Sequence, residues 1–432
     1  MMRRGLRNAV RGLCAGAVVW ALAGTPAVAA PDGYAFTPGA ENLAGSPDTA
    51  GARTLVPGHT YRSSLPAHGR LYYRLPLTAT ANAYVPVTVV PPRGATVAAT
   101  DGIRVSLQDA DGNPCFYSSA SFGAGLSPRP VTAVGQRDTG KSLCQSAAVY
   151  YLLVERLDAK NSDPGRWDLE LAPATEPGLA ATGPTTPPGA WNSATPQPPG
   201  DAPRERRGGE GFSSARLLGQ GVWRTRLAPG DTAFYRVPVD WGRQVHAGAE
   251  LSAATGHGYV GGALTLSLLN PARAPVDDAA LGYTGTRRAV SLAPVPPVEY
   301  ANRYAVPSGE NGVRFAGDYY LVVHLSERLA DSFGTGPFGV TLRVRLNGTA
   351  HAGPKYRGRT EPTDLFSVST GDWGPAPSGG TGGTAGGDPT MRVLAYGGLG
   401  GGTALLLGLG AWTLLARRSG VGSGPWSQRR QS

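Results

Sequence analysis

Short runs of alternating hydrophobic and polar residues extend through most of the chain and predict β-strands. Ile103, Val105 and Leu107 alternate with polar neighbours, and the same period of two recurs at 264–268 and 340–344. This alternation is typical of strands that bury one face. Gly, Pro, Asp-Gly and Asn-Pro breaks separate the runs, and no amphipathic helical stretch stands between the two ends of the chain. The pattern predicts an all-β fold built from β-sandwiches.

The strand pattern occurs twice, in the same order. Tyr73–Leu77 matches Tyr235–Val239 at an offset of 162, and Tyr150–Val154 matches Tyr319–Val323 at an offset of 169. The period is far longer than that of a solenoid repeat, so it indicates two copies of one whole domain. The sequence therefore predicts two superposable β-sandwiches in tandem.

The two ends of the chain carry apolar segments with basic flanks. Basic Arg3–Arg11, apolar Leu13–Ala23 and the small residues Ala27–Ala29 together predict a signal peptide cleaved after Ala29, with an uncleaved anchor as the alternative. Val393–Ala416 has 24 residues without a charge, enough to cross a bilayer as one helix. The arginines that follow favour a cytoplasmic tail and an extracellular body.

Proline and glycine content divides the rest of the chain. Nine prolines occur within residues 173–203, a composition that predicts an extended linker. The predicted organisation is a signal peptide at 1–29, β-sandwich 1 at 30–172, a Pro-rich linker at 173–209, β-sandwich 2 at 210–348, a flexible Gly/Pro/Thr stalk at 349–390, a transmembrane helix at 391–416 and a cytoplasmic basic tail at 417–432.

The net charge of +10 comes from the two ends of the chain. Four arginines lie in the predicted signal and five lie from Arg392 onward, where there is no acid. The body between them has 31 Lys and Arg against 30 Asp and Glu. A basic chain usually suggests nucleic acid. Here the excess positive charge lies in the segments that flank the predicted signal and membrane span, and the body between them is nearly neutral. No nucleic-acid partner is therefore expected.

Cysteine and tryptophan positions bear on the two cores. Cys115 and Cys144 are the only cysteines outside the predicted signal peptide, and an even count in an exported protein predicts one disulfide. Two free thiols are the alternative. Trp167 and Trp223 are expected in the cores rather than on a ligand platform, because large aromatic side chains dominate core burial.

Residues that could carry chemistry are scattered. None of the histidines forms a metal-binding motif with a carboxylate, and no nucleophile motif is present, so neither an enzyme nor a cofactor is expected. Asp109, Asp111 and Asn113 resemble the start of a calcium loop. The matching Asn270–Arg273 has lost both acids, so a hairpin turn is the better interpretation and calcium the alternative.

Each copy resembles the bacterial pre-peptidase C-terminal type of jelly-roll domain. The resemblance rests on Leu71–Leu75, Ala233–Val237 and the turn within Leu107–Asn113. The second copy is also similar to the extracellular region of actinobacterial membrane proteins, some with a von Willebrand factor A domain, through Gly230–Gly242 and Gly317–Leu321. The resemblance implies two tandem jelly-roll-like β-sandwiches that serve as non-catalytic accessory or binding modules.

A recognition surface is expected on the loops where the copies diverge, at 116–147 and 270–317, because loops on a rigid sandwich usually carry binding residues. The second loop is rich in Tyr and Arg, which are enriched at interfaces, although an ordinary solvated loop is an equal alternative. Its candidate partner-binding residues are Arg287, Arg288, Tyr300, Arg303 and Tyr304.

Three classes of function compete. The favoured one is a non-catalytic, membrane-anchored extracellular protein that binds an envelope component or an exported protein and contacts the lipid bilayer through 393–416. The second is a structural subunit of a membrane or secretion complex, which the glycine-rich span favours. Gly398 and Gly402 have a spacing that allows helix self-association. The third is a hydrolase with an unrecognised site, against which the scattered titratable residues argue.

Overall fold

A computed structural model describes residues 33–369 of the chain. The predicted signal peptide at 1–29, transmembrane helix at 391–416 and basic tail at 417–432 lie outside the described residues. Within 33–369, no helix has both the length and the apolar character needed to span a bilayer.

The first half of the described chain forms a β-sandwich, in agreement with the all-β prediction. Its strands are β1 (Glu41–Asn42), β2 (Arg53–Thr54), β3 (Tyr61–Leu65), β4 (Arg70–Leu77), β5 (Asn82–Val90), β6 (Gly102–Gln108), β7 (Pro114–Ser121), β8 (Val131–Arg137), β9 (Ala148–Leu157), β10 (Trp167–Leu171) and β11 (Ala174–Glu176). One sheet has the order β1-β3-β10-β5-β11 with β8 also paired to β5, and the other has the order β2-β4-β9-β6-β7.

The second half forms another sandwich, with two short α-helices. Its elements are β12 (Arg204–Glu205), β13 (Arg216–Leu217), β14 (Gly221–Leu227), β15 (Thr232–Val239), β16 (Gln244–Leu251), β17 (Val260–Leu269), β18 (Pro275–Tyr283), β19 (Arg288–Ser291), α1 (Ser308–Gly312), β20 (Gly317–Leu325), α2 (Leu329–Phe333) and β21 (Phe338–Asn347). Its sheets have the orders β12-β14-β21-β16-β19 and β13-β15-β20-β17-β18. Single 3-10 turns lie at Gly123–Gly125 and Tyr300–Tyr304.

Strand order and register confirm the predicted duplication. The eight strands β3 to β10 correspond one to one to β14 to β21. Within these sets, corresponding strands have the same neighbours in the sheets of the two sandwiches. Tyr73 pairs with Leu152 between β4 and β9, and Tyr235 pairs with Leu321 between β15 and β20. Both tyrosines are fully buried, and burial raises the pKa of each to about 12. The two strands therefore occupy equivalent places.

Each sandwich encloses its own hydrophobic core. Trp167 and Trp223 are both buried in these cores, as predicted. The guanidinium of Arg156 lies 3.6 Å from the ring centroid of Trp167 and hydrogen bonds to loop carbonyl groups. The predicted disulfide joins Cys115 and Cys144, and it connects the start of β7 to the segment before β9.

Two segments that composition assigned to loops or stalk are ordered differently. The predicted loop at 116–147 contains most of β7 and all of β8. Residues 349–369, expected to begin a flexible stalk, lie against both sandwiches instead. The backbone of Glu361 exchanges two hydrogen bonds with Thr175, and Phe366 is buried against Phe315 with ring centroids 4.1 Å apart. Burial of an apolar side chain and backbone hydrogen bonds therefore hold this segment in place, although its composition predicts a flexible stalk. We name residues 349–369 the C-terminal strap.

The two sandwiches contact each other through an apolar cluster and buried ion pairs. Tyr34 from the first copy packs edge-to-face on Phe234 from the second, with centroids 5.7 Å apart. Arg273 lies 2.6 Å from the carboxylate of Glu170. The face of the second sandwich formed by β15, β17 and β20 is thereby covered by the first sandwich.

Candidate functional site

Part of the predicted recognition loop lies in the interface between the sandwiches. Arg303 is buried and donates hydrogen bonds to both carboxylate oxygens of Glu176, the shorter being 2.7 Å. Its guanidinium also stacks on the ring of Tyr300 at 3.5 Å. Because Glu176 belongs to the first sandwich, an outside partner cannot reach Arg303 unless the two sandwiches separate. This corrects the expectation that Arg303 is offered to a partner.

The other candidates from that loop are more accessible. Arg287 has a side chain that is 71% exposed and lies 3.7 Å from Glu250. Arg288 is exposed at the start of β19, and Tyr304 is half-buried. The structure therefore divides the five candidates between an exposed hairpin and the domain interface. A partner for Arg287 and Arg288 stays a prediction.

The Asp109 turn is held by its own hydrogen bonds. The carboxylate of Asp109 accepts hydrogen bonds from the backbone N–H groups of Asp111 and Asn113 and from the side-chain amide of Asn113. These donors lower the pKa of Asp109. Within residues 33–369, no group of three His, Cys, Asp or Glu side chains is placed to hold a metal ion. The residues form the hairpin turn that the sequence favoured.

An aromatic and basic surface lies on the outer side of the β2-β4-β9-β6-β7 sheet. Alternation sends Leu71, Tyr73 and Leu75 of β4 into the core, so their neighbours on the strand point outward. We define the open face by six outward residues. They are Tyr72 and Arg74 on β4, Tyr151 on β9, Arg104 and Gln108 on β6, and Tyr117 on β7.

Strand register arranges the open face in rows. One row crosses the sheet from Tyr72 on β4 to Tyr117 on β7. Between them lie Leu153 on β9 and Ser106 on β6. The next row runs from Arg74 through Tyr151 to Gln108. Tyr117 is 66% exposed, and Tyr72, Arg74, Tyr151 and Gln108 are partly exposed. Leu153 and Ser106, which lie between Tyr72 and Tyr117, are each only 6% exposed. The face is thus a shallow surface of tyrosine rings beside a guanidinium and an amide.

The same face of the second sandwich is covered. Phe234 stands where Tyr72 stands in the first copy, and Leu269 stands where Gln108 does. Phe234 is 1% exposed because Tyr34 and Phe212 pack on it. At these two positions the covered copy carries apolar residues and the open copy carries a hydroxyl and an amide group, whereas Arg74 and Tyr151 correspond to Arg236 and Tyr320. This difference is the one expected between a buried surface and a solvated one.

Arg74 differs from its counterpart in charge pairing. Arg236, at the same place on β15, donates to both carboxylate oxygens of Asp318 at 3.1 and 2.9 Å. In the first copy, Val149 occupies the position of Asp318. The Arg74 side chain makes no hydrogen bond or ion pair with any residue between 33 and 369, and its Nε atom is shielded from solvent without an acceptor. Nε itself is closed to a ligand, but the Arg74 side chain is partly exposed, so the rest of its guanidinium is available to an acceptor that a ligand brings.

The charge of the open face is positive. Arg74 and Arg104 lie on it, and Arg70 at its border forms an ion pair of 3.0 Å with Glu155. Glu155 is also the register partner of Arg104, so one acid lies between two arginines in this row, and the two rows described above contain no acid. The face therefore attracts anions.

A second concave feature lies beneath the C-terminal strap. A cavity of about 560 Å³ opens between the strap and the second sandwich. Its walls include Trp241, Tyr356, Arg359, Thr360, Asp364 and Phe366. The hydroxyl group of Tyr356 hydrogen bonds to the buried Glu176 at 2.9 Å, so this wall belongs to the contact between strap and sandwiches.

Comparisons with known proteins identify no family for the chain and find only distant structural similarities. No protein-family model matches it, and no curated protein matches it significantly. It is similar to the CBM22-1–CBM22-2 tandem domain of Xyn10C from Paenibacillus barcinonensis, with 12% identity, a TM-score of 0.19, and coverage of 66% of this chain and 84% of that one.

Two further similarities are to tandem domains as well. The tandem CBM51 modules of a family 98 glycoside hydrolase from Streptococcus pneumoniae match with 7% identity, a TM-score of 0.19, and coverage of 68% and 85%. The CUB1-EGF-CUB2 domains of human MASP-1/3 match with 9% identity, a TM-score of 0.17, and coverage of 66% and 99%. At these scores the functional argument rests on the residues of this chain alone.

Proposed function

We propose that this protein is a non-catalytic, membrane-anchored extracellular binding protein of the cell envelope, and that the open face is its binding surface. The observation that carries the proposal is the contrast between the two copies. One copy buries this sheet face against its neighbour, and the other presents tyrosine and arginine side chains there. Tyrosine and arginine anchors contribute most to binding at protein surfaces.

The proposal includes the membrane topology and the connectivity. The basic and apolar pattern at both ends of the sequence supports export and a single span at 393–416. The strand orders, in which most consecutive strands alternate between two sheets, support the jelly-roll connectivity and the resemblance to pre-peptidase C-terminal domains. The binding role places recognition on a sheet face rather than on the loops where the sequence suggested it.

Two exposed tyrosines provide a matched test. Tyr117 on the open face is 66% exposed, and Tyr259 on the second sandwich is 68% exposed. We expect Tyr117→Ala to reduce retention of the detergent-solubilised full chain on isolated cell envelopes by roughly tenfold, about 1.4 kcal/mol, while Tyr259→Ala leaves it unchanged. Equal retention of the wild type and both variants would refute the open face as the binding surface.

The competing role, a subunit of a membrane or secretion complex, makes a different prediction. Soluble ectodomain without the span should keep its retention on envelopes if the protein is a binding module. If partners associate only with the full chain, the span carries the interaction and the complex-subunit role replaces the proposal.

A further inference from the structure

The open face holds a guanidinium whose counterpart in the second copy is already occupied by an anion. Arg236 shows how an arginine at this strand position holds a carboxylate, since one of its terminal nitrogens reaches both oxygens of Asp318. Arg74 has the same backbone position but faces Val149. An anionic group brought by a ligand would stand where Asp318 stands in the second copy. Arginine suits this role because its planar fork matches carboxylate and phosphate groups.

The groups around Arg74 indicate what else the ligand carries. Tyr72 and Tyr151 are the nearest outward residues on its own and the adjacent strand, and Gln108 continues the row. Tyrosine offers a flat ring together with a hydroxyl group, and glutamine offers both a donor and an acceptor. In residues 33–369, the hydroxyl groups of Tyr151 and Tyr117 make no hydrogen bond. A ligand with many hydroxyl groups matches this surface.

The extent of the face requires a ligand longer than one ring. Tyr72 lies on β4 and Tyr117 on β7, three strand spacings apart, or about 14 Å at the usual distance between strands. Both tyrosines stand in one row across the sheet. A ligand that contacts both must therefore extend across the strands.

The position of these residues disfavours an extended peptide. Peptides that bind sheets commonly add a strand at an edge, where backbone groups are unpaired. Here the candidate residues are spread over the face of four strands, and β9 and β6 have neighbours on both sides. Recognition must then come from side chains that contact rings and hydroxyl groups.

We propose that the open face binds an acidic polysaccharide, a glycan chain that bears carboxylate or phosphate groups, with Arg74 holding one anionic group. The proposal rests on the proposed binding function and adds the chemical class of the ligand. Tyr72, Tyr151 and Tyr117 contact the sugar rings, and Arg104 adds a second positive charge beside the chain. The anionic group of the ligand pairs with Arg74 on the first sandwich, as Asp318 pairs with Arg236 on the second.

Substitution of Val149 tests the role of charge with little change in shape. Val149→Asp places a carboxylate where the second copy has one, so it should pair with Arg74 and exclude the ligand's anion. Val149→Asn is the matched control because it has the same size without the charge. Val149 is half-buried on the outer side of β9, a position that accommodates Asp in the second copy.

The measurement is binding of the full chain in detergent to defined glycans. The probes are polygalacturonate for carboxylate, phosphorylated dextran for phosphate, unmodified dextran as the neutral glycan, and polyglutamate as a polyanion that is not a glycan. We expect at least one charged glycan to bind more than tenfold more tightly than dextran. Val149→Asp should weaken that binding at least tenfold, and Val149→Asn should leave it within about twofold. Circular dichroism and thermal unfolding establish that both variants are folded.

Several outcomes would overturn the proposal. Equal binding of dextran and both charged glycans, or binding of neither charged glycan, excludes an acidic polysaccharide. Equal binding of polyglutamate shows that any polyanion suffices, which replaces the glycan with a less specific ligand. If Val149→Asp binds like the wild type, Arg74 does not hold the anion. In that last case a loss of envelope retention with Tyr117→Ala would still support the binding function, whereas no loss would refute both.

Discussion

Removal of Arg303 should uncouple the two sandwiches, because it leaves a charge buried between them. The Glu176 side chain is fully buried. Besides Arg303, its donors among residues 33–369 are the neutral groups of Asn82, Tyr84 and Tyr356. In Arg303→Met the carboxylate keeps these donors but loses its counter-charge. Loss of one partner of a buried ion pair costs roughly 3–5 kcal/mol. The expected loss in the free energy of unfolding at pH 7 is therefore of that size.

Acidic pH gives this prediction a second, independent readout. Desolvation raises the pKa of Glu176, but in the folded protein Arg303 and its other donors more than offset it and hold that pKa below its ordinary value. The ion pair thus stabilises the fold above the unfolded pKa, and the stabilisation is lost as pH falls through the folded pKa. In the variant, desolvation is no longer offset, so the pKa of Glu176 rises and the carboxyl group becomes neutral at mildly acidic pH. The difference between wild type and variant should shrink from pH 7 to pH 4.

Denaturant unfolding at both pH values, followed by calorimetry, measures these effects. The double variant Glu176→Gln with Arg303→Met removes both charges and keeps an acceptor for the neutral donors, so it should recover most of the stability. A loss under about 1 kcal/mol for Arg303→Met at pH 7, or a loss that does not change with pH, would show that the pair does not couple the sandwiches.

Three further predictions concern other parts of the molecule. Reduction of the Cys115–Cys144 bridge, which spans a sequence separation of 29, should lower the free energy of unfolding by about 3 kcal/mol in denaturant titrations, and no change would count against it. Burial holds the pKa of His324 well below 6.5, so stability should fall as pH drops below about 6.5, and His324→Gln should flatten that part of the pH profile. The Arg287→Ala and Arg288→Ala double variant should unfold within about 0.5 kcal/mol of wild type while it weakens binding of any partner of this hairpin; unchanged partner recovery would exclude that role.

The fold could be predicted because both copies repeat the inward positions of their strands. Offsets of 162 and 169 align Tyr73 with Tyr235 and Leu152 with Leu321, which pair in the same way in the two sheets. Alternation within a strand depends only on neighbouring residues, so one sequence suffices to identify which side faces the core. The offsets also align Val149 with Asp318. That loss of an acid beside an arginine is the sequence signal that could have located the open face.

The contact between the sandwiches could not be predicted, because it depends on residues far apart in the chain. His324 aligns with Glu155, which is partly exposed, and nothing in this alignment shows that His324 is buried. In the structure His324 is buried and lies 2.9 Å from the hydroxyl group of Ser127 in the first sandwich. Arg303 was assigned to an exposed loop for the same reason, although Glu176 lies 127 positions away in the sequence. Composition likewise gave no sign that Phe366 would anchor the C-terminal strap.

The strap determines how tension would travel through the protein. Its backbone is hydrogen bonded to the first sandwich at Thr175 and to the adjoining residues Gly178 and Ala180. A pull applied beyond Ser369 would first meet the contact of Phe366 with Phe315 and would then reach the first sandwich through these bonds, without having to pass along the strands of the second. If a ligand is bound on the open face, the force between that ligand and the C-terminal strap passes through the first sandwich. The strands of the second sandwich then support the first sandwich without carrying this force. Unfolding of the second sandwich alone would then leave the mechanical connection intact.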